Sequence, residues 1–311
     1  METRNIGSSP LKVSLVGIGC NNFGMWIDKE KSQAVIHKAL DLGITLFDTA
    51  DSYGKRGGSE TIMGEILGNR RKDIVLATKF GQPMDDEGKK KGASRAYIMS
   101  AIEASLTRLK TDWIDLYQIH RPDAETPIEE TMRALDDLVR AGKVRQIGCS
   151  NFSAAQINDA EAASKTNGLA HLISSQDEYS LVVRGVEKEI IPAAKTHGMG
   201  FLPFFPLASG LLTGKYKRGD KPVATRMEAN TTMQERFLSE RNFTIVEKLE
   251  QFVKSKNRTM LELAFSWLAA RPQVSSIIAG ATKPEQLEQN VKAVNWKLSA
   301  DEIAEIDRIT A

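Results

Sequence analysis

Ile114-Asp115-Leu116-Tyr117-Gln118-Ile119-His120 is a short apolar, β-branched run that ends at a polar side chain, and it decides the fold because the chain repeats it. Such a run is typical of a buried strand. Seven other runs share its character, at residues 16–19, 45–48, 74–79, 144–150, 172–176, 200–204 and 276–280. Most begin about thirty residues apart, which is the spacing of strand-helix-strand units. The sequence therefore predicts eight strands.

Amphipathic stretches between these runs predict helices. Residues 31–42 and 94–109 carry apolar side chains at helical spacing. Thr126-Pro127-Ile128-Glu129 and Thr282-Lys283-Pro284-Glu285 each predict a helix that opens with a capping box and has proline at its first position. A strand followed by a helix, repeated eight times, predicts an α/β fold of the (β/α)8 TIM-barrel class.

Two further segments complete the predicted barrel. Residues 1–15, which Gly and Ser punctuate, predict an N-terminal β-hairpin that closes the barrel floor. Residues 209–226 form an extended loop after the seventh strand, rich in Gly and basic residues, and helices follow it. Because no linker divides the chain, we expect residues 1–311 to form a single domain.

Composition excludes several classes of protein. The 311 residues carry 42 Lys+Arg against 40 Asp+Glu, and this net charge of +2 argues against a nucleic-acid-binding protein. Cys20 and Cys149 are far apart, so neither a disulfide framework nor a Cys-rich zinc site is expected, and no His-rich set predicts another metal. No signal peptide or membrane-spanning stretch is visible. We expect a cytoplasmic protein that binds no membrane, and its oligomeric state stays open.

Polar residues at the ends of the predicted strands are candidates for a reaction centre. Asp48, Lys79 and His120 each end a strand, and Tyr53 follows shortly after the second one. Taken singly, each has an ordinary explanation, such as a turn cap for the acid or surface exposure for the lysine. Because the C-terminal ends of barrel strands meet at one face, we expect the four side chains to converge there.

These four groups suit proton transfer to a carbonyl oxygen. A nearby ammonium favours the phenolate and is expected to lower the pKa of the phenol, while the carboxylate holds the ammonium in place. A neutral imidazole can donate a hydrogen bond to an oxygen that gains negative charge. The set contains no hydride donor, so a cofactor must supply the hydride. A barrel hydrolase would need paired carboxylates or a metal cluster and fits less well.

Four motifs carry a resemblance to a known family. They are Phe47-Asp48-Thr49-Ala50-Asp51-Ser52-Tyr53-Gly54, Ala77-Thr78-Lys79-Phe80, Tyr117-Gln118-Ile119-His120-Arg121-Pro122-Asp123 and Gly148-Cys149-Ser150-Asn151-Phe152. In this order they resemble the signatures of the aldo-keto reductase family, a (β/α)8 barrel that reduces carbonyls with NADPH. The resemblance implies that Tyr53 is the general acid, that Lys79 and Asp48 tune it, and that His120 orients the carbonyl.

The sequence does not support a Rossmann domain, and the resemblance implies another cofactor site. It assigns Ser150, Asn151 and Gln176 to the nicotinamide carboxamide, and Phe204 to stacking on the ring. The other contacts that it implies are Gly19, Cys20, Asn21, Asp48, Pro206, Leu207, Ser209, Gly210, Lys215, Arg226, Gly280, Thr282, Gln286 and Asn290. For the basic residues of the loop, a solvated surface turn is the alternative explanation.

The expected preference for NADPH/NADP+ over NADH depends mainly on Arg226, the main candidate for the 2′-phosphate. We expect Arg226→Ala to weaken the binding of NADPH much more than the binding of NADH. The substrate is expected to be a small or medium aldehyde or ketone, with Trp26, Phe80 and Arg121 as candidate pocket residues. Packing under the first loop explains Trp26 equally well, and Arg121 has an alternative partner in Asp123.

Two functions of different classes stay open. The leading one is NADPH-dependent reduction of aldehydes or ketones to alcohols, with Tyr53 as general acid. The alternative is a cofactor-binding regulatory subunit with vestigial activity, because the sequence resembles the branch that includes bacterial aldo/keto reductases and potassium-channel β subunits. The four polar residues do not separate the two, since such a subunit can retain them.

Overall fold

Strands and helices alternate through the described chain. The computed structural model describes residues 1–219, 227–228 and 230–311. In these residues the strands are β1 (Thr3–Asn5), β2 (Lys12–Ser14), β3 (Val16–Gly19), β4 (Leu46–Asp48), β5 (Val75–Phe80), β6 (Ile114–Ile119), β7 (Val144–Ser150), β8 (Leu172–Gln176), β9 (Gly200–Phe201) and β10 (Ile277–Gly280). The helices are α1 (Lys29–Asp41), α2 (Tyr53–Leu67), α3 (Arg95–Leu109), α4 (Ile128–Arg140), α5 (Ala154–Asn167), α6 (Ile190–Thr196), α7 (Thr231–Phe237), α8 (Glu240–Ser255), α9 (Met260–Ala269), α10 (Pro284–Ala293) and α11 (Ala300–Thr310). None of the described helices is both long enough and apolar enough to cross a membrane.

Eight of these strands form the predicted barrel. They are hydrogen-bonded in the order β10-β3-β4-β5-β6-β7-β8-β9, and every neighbouring pair is parallel. The remaining seam is bridged between Phe204 and Ile278, where the Ile278 N–H donates to the carbonyl of Pro203 at 3.0 Å. The (β/α)8 fold class predicted from the repeated strand-helix unit is confirmed.

All eight predicted strands are present, with small shifts at their ends. The largest shift is in β9, which ends at Phe201 and not at residue 204. Pro203 has no N–H to donate to a neighbouring strand, which explains the early end. At α1 the helix begins two residues before the predicted position, because the Asp28 side chain accepts the Lys31 N–H at 2.9 Å and caps it.

The capping box predicted at the start of α4 is wrong. The helix begins at Ile128, so Pro127 precedes its first residue, and no side chain caps it. The Thr126 hydroxyl instead donates to Asp123 at 2.8 Å. A carboxylate three residues upstream competes with the backbone for this hydroxyl.

The box predicted at α10 is only partly right. Pro284 occupies the first helical position, as predicted. The side chain that caps the helix is Gln286, whose Oε1 accepts the N–H groups of Thr282 and Lys283 at 2.7 and 3.2 Å. The predicted partner, Glu285, is one residue too early.

The N-terminal hairpin fills the lower end of the barrel. β1 and β2 pair antiparallel, as predicted. Ile6 and Val13 are fully buried and form one apolar cluster with Leu46, Ala77 and Leu116 of successive barrel strands. This apolar floor leaves the upper end of the barrel for polar groups.

A polar layer lies on top of this floor. Side chains alternate along a strand, so the residues two positions beyond the floor residues of β4, β5 and β6 share its face. They are Asp48, Lys79 and Gln118, and all three are buried. Lys79 and Gln118 are directly paired in the register of β5 and β6. The strand register thus brings an acid, a cation and an amide together.

Candidate active site

A cavity of about 1010 Å³ opens at the C-terminal ends of the barrel strands. Asp48, Tyr53 and His120 line it, together with residues of the loops that follow β3, β9 and β10. Ligand pockets commonly enclose about 300–1,000 Å³, so this one has room for a large ligand. Its position is where barrel proteins carry out their chemistry.

The aspartate and the lysine of the polar layer form a buried ion pair. Lys79 Nζ donates to Asp48 Oδ2 at 2.7 Å and to the carbonyl of Thr49 at 2.9 Å. The Lys79 side chain is 0% exposed and the Asp48 side chain is 4% exposed. Asp48 Oδ1 accepts hydrogen bonds from Gln176 Nε2 at 2.9 Å and from Gln118 Nε2 at 3.4 Å. Both carboxylate oxygens are therefore bonded, which a buried charge requires.

Tyr53 lies beside this ion pair and beside His120. Lys79 Nζ is 5.1 Å from the centroid of the Tyr53 ring. The rings of Tyr53 and His120 meet edge to face, with centroids 5.6 Å apart and planes at 81°. The structure thus brings the four residues predicted from the strand ends together.

The protonation of Tyr53 differs from the sequence-based expectation. Burial raises the pKa of Tyr53 above its usual 10, and the charge of Lys79 opposes this rise without reversing it. The expected net lowering of the phenol pKa is therefore wrong. Burial also acts to lower the pKa of Lys79, but Asp48 and Tyr53 raise it above its ordinary value, so the ammonium keeps its charge.

His120 is a neutral imidazole at physiological pH. Burial lowers its pKa to about 3, and the charges of Lys79 and Arg121 act in the same direction. Its Nδ1 atom is buried and has no hydrogen-bond partner among the described residues. An unpaired buried acceptor is tolerated better than an unpaired N–H, which favours the tautomer with the proton on Nε2.

The family is decided by comparison with known proteins. The model of the Aldo/keto reductase family matches residues 15–311. The chain belongs to this family.

The relatives of this chain include enzymes and channel subunits. A probable voltage-gated potassium channel subunit beta of Arabidopsis thaliana is 38% identical over 304 residues, which cover 95% of this chain and 92% of the relative. L-glyceraldehyde 3-phosphate reductase of Escherichia coli O157:H7 is 35% identical over 325 residues, covering 99% and 92%. An aldo-keto reductase of Bacillus subtilis is 34% identical over 316 residues, covering 99% and 93%. Family membership supports a carbonyl-reducing oxidoreductase that uses a nicotinamide cofactor.

Most of the cofactor residues expected in this chain line the cavity. These residues are Gly19, Asn21, Asp48, Ser150, Asn151, Gln176, Phe204, Pro206, Leu207, Ser209, Gly210, Lys215, Gly280, Thr282 and Gln286. Cys20 and Asn290 are not among the lining residues. Cys20 is fully buried in the core because its side chain alternates with the inward-facing position before it, and Asn290 lies on the buried face of α10. Arg226 lies outside the described residues.

The lining residues fit a nicotinamide dinucleotide. Asn151 Nδ2 donates to the His120 carbonyl and to Ser150 Oγ, and Gln176 Nε2 donates to Asp48. These bonds leave the amide oxygens of Asn151 and Gln176 as acceptors for the N–H groups of a carboxamide. Phe204 adds an aromatic face for a ring.

Of the three expected substrate residues, two line the cavity and one does not. Trp26, which is 49% exposed, and Arg121 line the cavity. Phe80 does not, because it is fully buried and stacks on Tyr117 with ring centroids 4.7 Å apart. Its assignment to the pocket mouth is wrong, since the residue after an inward-facing lysine points out of the barrel. The alternative pairing of Arg121 with Asp123 is also wrong, because the two form no ion pair in the described structure.

Sequence reasoning missed several residues at this site, among them Gln118, Lys31 and Lys283. Gln118 bonds Asp48, and Lys31 and Lys283 line the cavity. The period of two along β6, counted back from His120, would have placed Gln118 on the inner face. Lys283 lies in the motif at residues 282–285, which predicts a helix start and gives no signal for a cavity residue. No signal in the sequence distinguishes Lys31 from other lysines on α1.

Proposed function

We propose that this chain reduces an aldehyde or ketone to the alcohol with NADPH, and that Tyr53 supplies the proton. The observation that carries the proposal is the convergence of Asp48, Lys79, Tyr53 and His120 at a cavity with room for a dinucleotide. When bound there, NADPH supplies the hydride for the carbonyl carbon.

Tyr53 acts as the proton donor at the carbonyl oxygen. Its raised pKa keeps the phenol protonated throughout the neutral range. An alkoxide is a far stronger base than a phenolate, so proton transfer to it stays favourable. Lys79 then stabilises the phenolate that remains, and Asp48 holds the ammonium in position.

His120 orients the carbonyl. With its pKa at about 3 the ring carries no charge, and Nε2–H is free to donate to the oxygen. A charged imidazolium would itself be an acid and would compete with Tyr53. Neutrality therefore separates the roles of the two side chains.

Ser150, Asn151 and Gln176 bind the carboxamide in this proposal, and Phe204 contacts the ring. Cationic side chains at the cavity wall, Lys215 and Lys283 among them, receive the phosphates. The preference for NADPH over NADH rests on the family resemblance and on Arg226. A comparison of kcat/KM with the two cofactors, in the wild type and in Arg226→Ala, tests it.

The test of the function is consumption of NADPH with a reactive aromatic aldehyde. We expect turnover in the wild type and its loss, by about 100-fold or more, in Tyr53→Phe. The matched control is Tyr97→Phe, because that phenol bonds Asp51 and is not among the residues that line the cavity. Calorimetry of NADPH binding to each variant shows whether the site itself is intact.

Two results would contradict the proposal. Undiminished turnover in Tyr53→Phe would remove Tyr53 as the proton donor. Tight binding of NADPH without turnover on a broad panel of aldehydes, ketones and sugars would favour the regulatory alternative.

A further inference from the structure

Arg121 is a cation next to the reaction centre in the sequence, and the proposed chemistry does not use it. It follows His120 directly, two residues beyond the end of β6, and both residues line the cavity. The charge of Arg121 contributes to the low pKa of His120, so the two side chains interact electrostatically. A ligand held by His120 is therefore within the influence of this guanidinium.

The nearby acid that could neutralise Arg121 is committed elsewhere. Asp123 accepts hydrogen bonds from the Ala93 N–H at 2.7 Å, the Glu125 N–H at 2.9 Å and the Thr126 hydroxyl at 2.8 Å. These bonds fix the loop after β6 and its contact with the start of α3. Among the described residues, no carboxylate forms an ion pair with Arg121, whose side chain is exposed at the cavity.

Two acids line the part of the cavity that the structure describes, Asp48 and Glu228. Asp48 is already paired with Lys79 at 2.7 Å. Glu228 belongs to the segment between β9 and α7, the same connection that carries Lys215.

A guanidinium in this position suits an oxyanion. Its planar fork matches carboxylate and phosphate groups with two parallel hydrogen bonds. Trp26, half-exposed at the same cavity, offers apolar surface for the carbon chain of a bound molecule. An aldehyde with its oxygen at His120 and an acidic group a few bonds away satisfies both ends.

We propose that this site prefers short aldehydes that carry a carboxylate or phosphate, and that the Arg121 guanidinium binds the anionic group. This inference rests on the proposed carbonyl reduction. It adds to that function a substrate class and the residue that selects it.

The test compares charged and neutral aldehydes of matched shape. The first pair is 4-oxobutanoate and its methyl ester, and the second is glyceraldehyde 3-phosphate and glyceraldehyde. For the wild type we expect kcat/KM to be about 10-fold or more higher for the charged member of at least one pair. The pair with the larger ratio identifies the preferred anion. Added salt should reduce that ratio, because it screens an exposed charge.

Variants assign the preference to one residue. Arg121→Gln should bring the charged-to-neutral ratio close to one, and Arg121→Lys should retain part of it, since lysine keeps the charge without the fork. The control is Arg140→Gln, an exposed arginine that pairs with Asp136 on α4 at 2.6 Å and does not line the cavity. It should leave the ratio unchanged.

The outcomes separate this inference from the function on which it rests. Turnover of both members of each pair at equal kcat/KM in the wild type overturns the anion preference and leaves carbonyl reduction standing. A preference that survives in Arg121→Gln overturns the assignment to Arg121. Absence of NADPH consumption with all four aldehydes overturns the proposed function itself.

Discussion

Removal of the buried ammonium from the barrel centre is predicted to destabilise the fold. Lys79→Met deletes the group 2.7 Å from Asp48 Oδ2 and leaves that carboxylate, 4% exposed, without a counter-ion. Removal of one partner from a buried ion pair lowers the free energy of unfolding by about 3–5 kcal/mol. The amide donors at 2.9 and 3.4 Å from Asp48 Oδ1 remain and offset part of the loss. We therefore expect a decrease of about 3 kcal/mol in the free energy of unfolding.

The assay is equilibrium unfolding in urea near neutral pH, followed by fluorescence and by circular dichroism. The double variant Asp48→Asn/Lys79→Met removes the unpaired charge as well. It should be more stable than Lys79→Met alone by at least ~1 kcal/mol. The control is Arg133→Met, which breaks an exposed pair with Glu129 on α4 and should cost no more than ~0.5 kcal/mol.

Two results would refute this reasoning. A cost for Lys79→Met no larger than that of the surface control would mean that the carboxylate is not left buried and charged. Simple additivity in the double variant would mean that the two side chains do not interact.

Three more predictions follow from the protonation states and the packing. The kcat/KM for carbonyl reduction, measured from about pH 6 to pH 11, should stay level until the pH exceeds 10, because the raised pKa of Tyr53 keeps its proton; a fall well below that pH would contradict the assignment. Burial and the charge of Glu60 raise the pKa of Asp51 from 3.8 to about 7, so its contribution to stability is present at low pH and is lost as the pH rises through about 7. As the pH rises from about 4 to about 8, the free energy of unfolding of Asp51→Asn should therefore increase relative to that of the wild type, by on the order of 4 kcal/mol in urea unfolding. A difference between the two proteins that stays constant over this pH range would argue against the raised pKa. A Cβ on Gly148 would clash with Ser174 Oγ on the neighbouring strand β8. Gly148→Ala should therefore lower the free energy of unfolding by about 1–3 kcal/mol. An unchanged urea midpoint would show that β7 and β8 move apart without cost.

The strands were predictable because most residues of the barrel strands are buried, on both faces of the sheet. Burial on both faces requires a continuous apolar run, and the polar residue that ends it marks the upper rim, as at His120. The position of Lys79 followed from the same argument. What the strand pattern did not reveal is which neighbours complete the polar layer, so Gln118 was missed although it shares the inner face of β6.

Other errors arose where several groups compete for one partner or where burial decides. The Thr126 hydroxyl bonds Asp123 and not the helix backbone, a choice that depends on how the loop folds. The pKa of Tyr53 depends on the balance between the charge of Lys79 and the loss of water around the phenol. Of these two effects, only the charge of Lys79 can be inferred from a sequence. Phe80 shows a simpler error, because it was assigned to the pocket by its position in a motif and not by the alternation of side chains.

The most direct test of the central claim follows the hydride to the product and measures how the rate depends on Tyr53. The enzyme is mixed with an aldehyde and with NADPH that carries deuterium at both C4 positions, and the alcohol is analysed by mass spectrometry and NMR. The account predicts one deuterium at the carbinol carbon in the wild type and a rate at least about 100-fold lower in Tyr53→Phe. An alcohol without deuterium, or an equal rate in the variant, would contradict it.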